Sequence, residues 1–450
     1  LMIMVGRSRI IAILIGATAL TAPAHAQSVD ARITRLEEHL RQQDRRIAEL
    51  ESLLVQQQSR IGGQTDVAPP SLSTASASAQ SAERSGPTEG LVATGAAAGT
   101  ALSDVAKPKF GSRLDLSGDF RLRYEANWSD TDARDRGRVA LRARLRGNYR
   151  FTDFLTVGGQ LATGDPDDPN STDLILSNFD DDAMVSLDQA YARLNFGGLT
   201  LYGGKIPQVF SRTDLVWDGD VSPQGVSASY TLPLAPRTRI DARALYFLID
   251  ESVAGPDSDM VGGQLTLSSK IGRDWQLELA AGYFDYTLLS IGGTDAGDFR
   301  SNLIGADGRY LSDFNLFDAI GSLTYAGLGE RWPIRIAGDY VQNFGARTSA
   351  DAGYSVDLAL GRGSDRGDWR IGYGFAVAQT DAVFAAFSHD NLGIATNYRL
   401  HSLAIDYVPY DNIVLNATLY HYRPENSLDA GINNPDDWLN RLRFNFLVGF

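Results

Sequence analysis

The sequence predicts an all-β protein: a transmembrane antiparallel β-barrel of about sixteen strands, preceded by an N-terminal helical coiled coil. Three observations predict it. From residue 110 onward apolar and polar residues alternate in runs of twelve to sixteen, whereas the strands of a soluble sandwich are usually five or six residues long. About ten tilted residues cross an outer membrane, so such runs cross it and project beyond it. The runs number sixteen, an even count, and the connections between them mostly alternate short and long. The 450 residues contain 45 Gly, 43 aromatics and no Cys, a composition that suits many tight turns and excludes disulfides, thiolate metal sites and cysteine nucleophiles. A net charge of -14 argues against a nucleic-acid partner.

The chain divides into four parts. In 1–26, Arg7 and Arg9 precede a small-to-apolar run over 10–20, and Ala24-His25-Ala26 puts small residues where a signal peptidase reads them. The apolar run is short for a membrane span, so 1–26 is expected to be a cleaved signal peptide. In 27–61, Ile33, Leu40, Ile47, Leu54 and Ile61 occupy heptad position a. Val29, Leu36, Gln43, Leu50 and Gln57 occupy d. A seam of more than four heptads with a charged back needs partner helices, so this segment is expected to oligomerise, with two Gln layers fixing register. Residues 62–109 are rich in Gly, Ser, Ala, Thr and Pro without periodicity, which reads as a disordered linker. Residues 110–450 form the barrel.

The strands are expected near 113–128, 136–151, 154–164, 186–197, 199–207, 222–232, 237–250, 258–270, 274–287, 315–326, 331–344, 351–362, 367–379, 393–408, 411–423 and 437–450. The first shows the rule: Leu114, Leu116, Gly118, Phe120, Leu122, Tyr124 and Trp128 alternate with Asp115, Ser117, Asp119, Arg121, Arg123 and Glu125. In the second, Arg142, Arg144 and Arg146 fall at spacing two and point one way. With Arg121 and Arg123 they make a cationic wall. An arginine on the lipid face costs about 2–4 kcal/mol near the bilayer midplane, so all five are expected to line an aqueous lumen. The connection 208–221 is the third on the long side and carries Asp214, Asp218 and Asp220. Residues 165–182 hold seven aspartates and no basic residue, in a spacing that fits no EF-hand and reads as a solvated loop.

Several motifs carry a resemblance. They include Gly118-Asp119-Phe120-Arg121-Leu122-Arg123-Tyr124-Glu125, the arginine-rich 134–146 and Leu161-Ala162-Thr163-Gly164-Asp165. Leu187-Asp188-Gln189-Ala190-Tyr191 and Ser211-Arg212-Thr213-Asp214-Leu215-Val216-Trp217-Asp218 add to them. Together these resemble the "putative porin" family of Gram-negative bacteria, most clearly between 118 and 226. The terminal Phe450 is similar to the assembly signal of bacterial outer-membrane proteins. The resemblance implies a diffusion channel, monomeric or trimeric, in the cell outer membrane, with lipid around it and small hydrophilic solutes inside. It also implies that the loop 208–221 folds inward, so that its acids face the arginines across a constriction. Both termini are then expected in the periplasm, with a homotrimer favoured and no cofactor or metal.

An enzyme is not expected. The mature chain has four histidines, His39, His389, His401 and His421, none in a Ser/His motif, and no Gly-x-Ser-x-Gly elbow occurs. A structural tether, barrel plus periplasmic rod without transport, is the alternative.

Overall fold

A computed structural model describes residues 113–130, 135–176, 183–253, 255–291, 301–429 and 435–450, and the backbone at 109–110. The expected signal peptide, the coiled coil and nearly all of the linker lie outside the described residues.

Alternation over long runs folds as expected. Sixteen strands close into one antiparallel ring. They are β1 (Leu114–Ser129), β2 (Arg136–Arg150), β3 (Leu155–Thr163), β4 (Val185–Phe196), β5 (Leu199–Lys205), β6 (Gln224–Ala235), β7 (Thr238–Asp250) and β8 (Ser258–Ile271). The second half is β9 (Trp275–Leu288), β10 (Phe314–Tyr325), β11 (Ile334–Asn343), β12 (Ala352–Leu360), β13 (Trp369–Ala378), β14 (Tyr398–Tyr410), β15 (Ile413–Pro424) and β16 (Leu439–Gly449). Two-residue pieces, Lys109–Phe110 and Leu174–Ile175, add to β1 and β2. The ring closes where β16 pairs with β1, from Leu439↔Ser129 to Gly449↔Asp119. Closure leaves no unpaired edge, which a bilayer would penalise heavily.

Phe450 continues the seam. Gly118 N–H donates to Phe450 O at 2.9 Å, and Phe450 N–H donates to Gly118 O at 3.0 Å. A side chain at Gly118 would meet the Phe450 ring at 2.5 Å, so the missing Cβ is the space that ring occupies.

The outer face carries two aromatic levels around an apolar band. On β9, Trp275 and Tyr283 flank Leu279, and all three are exposed. Trp369 and Tyr373 flank Ile371 in the same way on β13. Trp275 to Tyr283 spans about 27 Å of strand, which a tilt of about 40° reduces to about 20 Å, close to the height of an outer-membrane apolar band. Facing inward are Gln264, Thr266, Asp318, Asp339, Ser355 and Asp357, all buried.

Connections alternate. On one side they are short, as at 197–198, 236–237 and 411–412; on the other they reach 164–184, 206–223, 289–313 and 379–397. The largest departure from the expected strands is at β14, which begins at Tyr398 rather than 393. Asn397 sits at φ 55° and its amide donates to Asn426 O at 2.9 Å. That left-handed residue ends a long loop and starts the strand, a break that alternation alone does not reveal.

Candidate functional site: the charged lumen

The expected wall of arginines faces inward, and most of it is ion-paired. Arg142 and Arg144 bracket Asp119 of β1: Arg142 Nε donates to Oδ1 at 3.0 Å and Arg144 Nε to Oδ2 at 2.7 Å. Arg121 and Arg123 share the Asp173 carboxylate, the latter at 2.6 Å. Arg123 Nε also donates to Asn445 Oδ1 at 2.9 Å. Arg146 instead donates twice to Gln160 Oε1, at 3.1 and 2.7 Å. Two further arginines, Arg441 and Arg443 of β16, extend the wall across the seam. Spacing two on the last strand carries the same signal that found Arg142 and Arg144, and sequence reasoning passed over it. Both converge with Arg138 on Glu125, whose carboxylate accepts from Arg443 Nε at 2.7 Å and Arg138 Nε at 2.7 Å, with Arg441 Nε 3.3 Å away.

The loop 206–223 does enter the barrel. Gly204, at φ 120°, stands at its entrance, where a Cβ would lie 2.3 Å from Ala190 O. Ser211 anchors the loop to β8: its N–H donates to Gln264 Oε1 at 2.7 Å and its carbonyl accepts from Gln264 Nε2 at 2.8 Å. Thr213 bonds to Asp339 of β11. Ile206, Phe210, Leu215, Val216 and Trp217 are buried in one apolar cluster with Phe247, Phe284 and Tyr286 of the barrel wall. Burying such side chains contributes roughly 1.5–3 kcal/mol each.

Its three aspartates part company. Asp220 meets the arginines directly, accepting from Arg144 Nη1 at 2.8 Å and lying 3.7 Å from Arg142 Nη1. The two arginines and Asp220 thus pair across no gap; the guanidiniums hold the Asp220 carboxyl down to about 2 against its burial. Asp218 turns inward on its own loop and accepts from Asp220 N at 2.7 Å. Burial, then Asp390, pushes its carboxyl well above the ordinary carboxylate range. Asp214 accepts from Asn391 Nδ2 at 3.0 Å.

Asn391 belongs to a second inward loop, 379–397, which the sequence did not mark as one. Its run Ala382, Val383, Phe384, Ala385, Ala386 and Phe387 is buried. Phe387 stacks on Trp217 with ring centroids 5.8 Å apart and planes at 13°, and its carbonyl accepts from Asp218 N at 2.8 Å. The loop then reaches the arginine wall, where Arg441 Nη1 donates to Asn391 O at 2.8 Å and Arg443 Nη1 to Asn391 Oδ1 at 2.8 Å. A third loop joins from 164–176. Asn170 Nδ2 donates to Ser388 O at 2.6 Å, Ser171 Oγ to Asp390 Oδ2 at 3.1 Å and Thr172 Oγ1 to Asp220 Oδ2 at 2.9 Å. Asp173 therefore binds arginine inside the barrel and is not part of a uniformly solvated acidic loop. The Arg121 and Arg123 guanidiniums outweigh its burial and hold its carboxyl far below the ordinary range.

Across the ring the inward face carries acids beside two arginines, Arg335 and Arg370. Asp318, Asp339 and Asp357 stand on consecutive strands β10, β11 and β12, all buried. Their parity was readable from alternation, like that of the arginines. A cavity of about 40 Å³ lies between the two loops and this wall, lined by Asp214, Ser355, Asp357, His389 and Tyr398 among others. His389 is kept neutral by its burial, down to about 4, and its Nδ1 accepts from Asn391 N at 3.2 Å. Among the described residues no group of His, Cys, Asp or Glu could hold a metal ion.

Asp214 makes the clasp of the two loops pH-dependent. Burial raises its carboxyl to about 7, with Asp357 and Asp390 adding to the rise and Arg212 opposing it. A carboxyl raised on folding stabilises the closed loops fully below its ordinary value near 4, and that contribution is lost as pH rises through about 7. Loop excursions, read as current noise, are expected to grow between pH 6 and pH 8. Asp214→Asn should flatten that rise; an equally steep rise in the variant would remove Asp214 as its origin.

Comparison with known proteins bears on the lumen from outside. Residues 129–299 match the family described as "putative porin". That segment runs from the end of β1 to beyond β9 and carries Arg142, Arg144 and Arg146 together with the first inward loop. No curated protein matches the chain. Among solved structures, OprB of Pseudomonas putida is 13% identical and aligns over 75% of this chain and 94% of its own, with a TM-score of 0.51. The barrel fold is thus shared with OprB. A loop-deleted form of OmpT from Vibrio cholerae is 12% identical over 75% of this chain and 99% of its own, TM-score 0.44. An engineered Rhodopseudomonas blastica porin is 10% identical over 75% and 100%, TM-score 0.42.

Proposed function

We propose that the protein is an outer-membrane porin through which small hydrophilic solutes diffuse passively. The observation that carries this reading is the closed ring itself, apolar and aromatic outside and lined inside with charge. In this reading Arg121, Arg123, Arg142, Arg144 and Arg146 line the path, and Asp214, Asp218 and Asp220 belong to a constriction shared by two loops. The chain is exported by its signal peptide. The coiled coil stands in the periplasm and joins barrels into a homo-oligomer, a trimer in preference. No step of the mechanism needs a nucleophile, cofactor or metal. Solute moves down its gradient through a charged eyelet.

The interlocked loops favour a second reading, a closed barrel acting as a tether. Planar-bilayer recording on refolded full-length protein separates the two: steps of channel current are expected, and their absence from correctly folded material would favour the tether. The same recording in a salt gradient reads selectivity. Arg142 and Arg144 are balanced by Asp119 and Asp220, so removing the guanidiniums uncovers negative charge within a Debye length of about 8 Å of the path. Replacing Arg142, Arg144 and Arg146 together with Gln is expected to shift the reversal potential toward cations. An unchanged potential would place selectivity elsewhere.

A further inference from the structure

The outer surface changes character at one place. Along β14 the outward residues run Tyr407, Ile405, Leu403, then His401 and Arg399; along β15 they run Leu415, Ala417, Leu419, then His421 and Arg423. Register sets these directly opposite one another, His401 beside His421 and Arg399 beside Arg423. Leu403, by the same register, lies beside Tyr373 of the upper aromatic level. The imidazoles are therefore one step, and the guanidiniums two steps, beyond the apolar band on the long-loop side. At the matching height β8 and β9 present Asp259 and Asp285 instead, so the basic character belongs to one flank.

Two like charges directly opposite on neighbouring strands repel. Here the pair is held in place by its surroundings. Glu425 grips Arg399 in a two-pronged pair, at 2.9 and 3.0 Å. Arg423 lies over the Trp438 ring, 5.0 Å from its centroid, and Trp438 in turn stacks on His421 at 4.1 Å with planes 7° apart. Glu425 is committed to Arg399, and the Arg423 guanidinium, held over Trp438, keeps its charge at the depth where lipid headgroups begin. The aromatic platform beneath it suits the boundary between headgroup and chain. Anionic headgroups are drawn to basic clusters at this depth, and arginine binds phosphate through paired donors.

We propose that Arg399 and Arg423, on the Trp438–His421 platform, form a binding site for the phosphate of an outer-leaflet lipid. The site lies on the outside of the barrel and takes no part in the solute path. It rests on the outer-membrane reading only for its occupant. A phosphate-bearing glycolipid fits it better than a second copy of this chain, because the arginine pair sits just beyond the apolar band on the Trp438–His421 platform, at the depth of lipid phosphate.

The experiment uses the refolded full-length protein in detergent, titrated with bisphosphorylated lipid A, with dephosphorylated lipid A and with inorganic phosphate, and read by native mass spectrometry. Saturable binding of the phosphorylated lipid alone is expected. The double variant R399Q/R423Q should weaken it at least about tenfold, the scale of losing hydrogen bonds to a charged group. Heat-dependent migration on gels checks that the variant is folded, and R423K is expected to retain part of the affinity. Equal binding of both lipids, binding of free phosphate at the same concentration, or an unchanged double variant would overturn the proposal. So would a change of oligomer size in the double variant without loss of lipid. Channel recordings on the same samples keep a failure here distinct from a failure of the porin reading.

Discussion

Glu125→Gln is expected to be the most damaging single change in the barrel wall, costing about 3–5 kcal/mol. Glu125 is 1% exposed and takes Arg138 from β2 and both Arg441 and Arg443 from β16. Arg443 is its direct cross-strand partner at the seam where the ring closes. Removing the carboxylate leaves three guanidiniums facing one another in the place where first and last strands must meet. Each pair on its own is worth little if solvated, but Arg443 is 2% exposed, so water cannot replace the lost partner. The measurement is the temperature at which the folded form is lost on a heat-modifiability gel. It should fall sharply for Glu125→Gln and stay unchanged for Asp115→Asn, an exposed acid on the same strand. Adding Arg443→Gln should recover part of the loss, with a coupling of about 0.5–3 kcal/mol. Equal melting of wild type and Glu125→Gln would mean that the network is solvated and not structural.

How much of this was legible depended on which signal a residue carries. Strand residues announce their face by parity, so the inward Arg121, Arg123, Arg142, Arg144 and Arg146 could be placed from spacing alone. Arg441, Arg443, Asp318, Asp339 and Asp357 obey the same rule. Partners were a different matter. Nothing in the spacing of Asp173 ties it to Arg121 and Arg123, because the tie is made by the path of a loop across the lumen. The inward fold of 206–223 was expected from resemblance rather than from its residues. Loop 379–397 had its own signal, the apolar run from Ala382 to Phe387. A long-side loop exposed to water has no use for such a run. Reading it as a buried element would have found the second inward loop and moved the start of β14 to Tyr398. The acids of the first loop were expected to face arginines across a gap. Only Asp220 meets them, by direct contact, since the Asp214 carboxylate holds Asn391 of the second loop and the Asp218 carboxylate turns back to Asp220 N on its own loop.

Trp217→Ala should therefore open the constriction while leaving the ring intact. Trp217 is fully buried and touches both loops and the wall, stacking on Phe387 and meeting Phe284 edge-on at 5.5 Å. Truncating such a side chain costs about 3–5 kcal/mol, and the loss falls on loop packing, because Trp217 contributes no bond to the strand ladders. The neighbouring clasps, Asp214 with Asn391 and Asp218 N–H with Phe387 O, are then required to hold two loops without the apolar wedge between them. Single-channel conductance is expected to rise severalfold with larger current noise, while the melting temperature of the ring changes little. Trp217→Phe keeps a ring against Phe387 and should restore most of the wild-type current. An unchanged conductance in Trp217→Ala would show that solute passes on the far side of the arginine wall, where neither loop reaches. A collapse of the folded barrel would show instead that the loops are part of its core. Only a wider channel in an intact ring agrees with loops that are packed inside the wall but not woven into it.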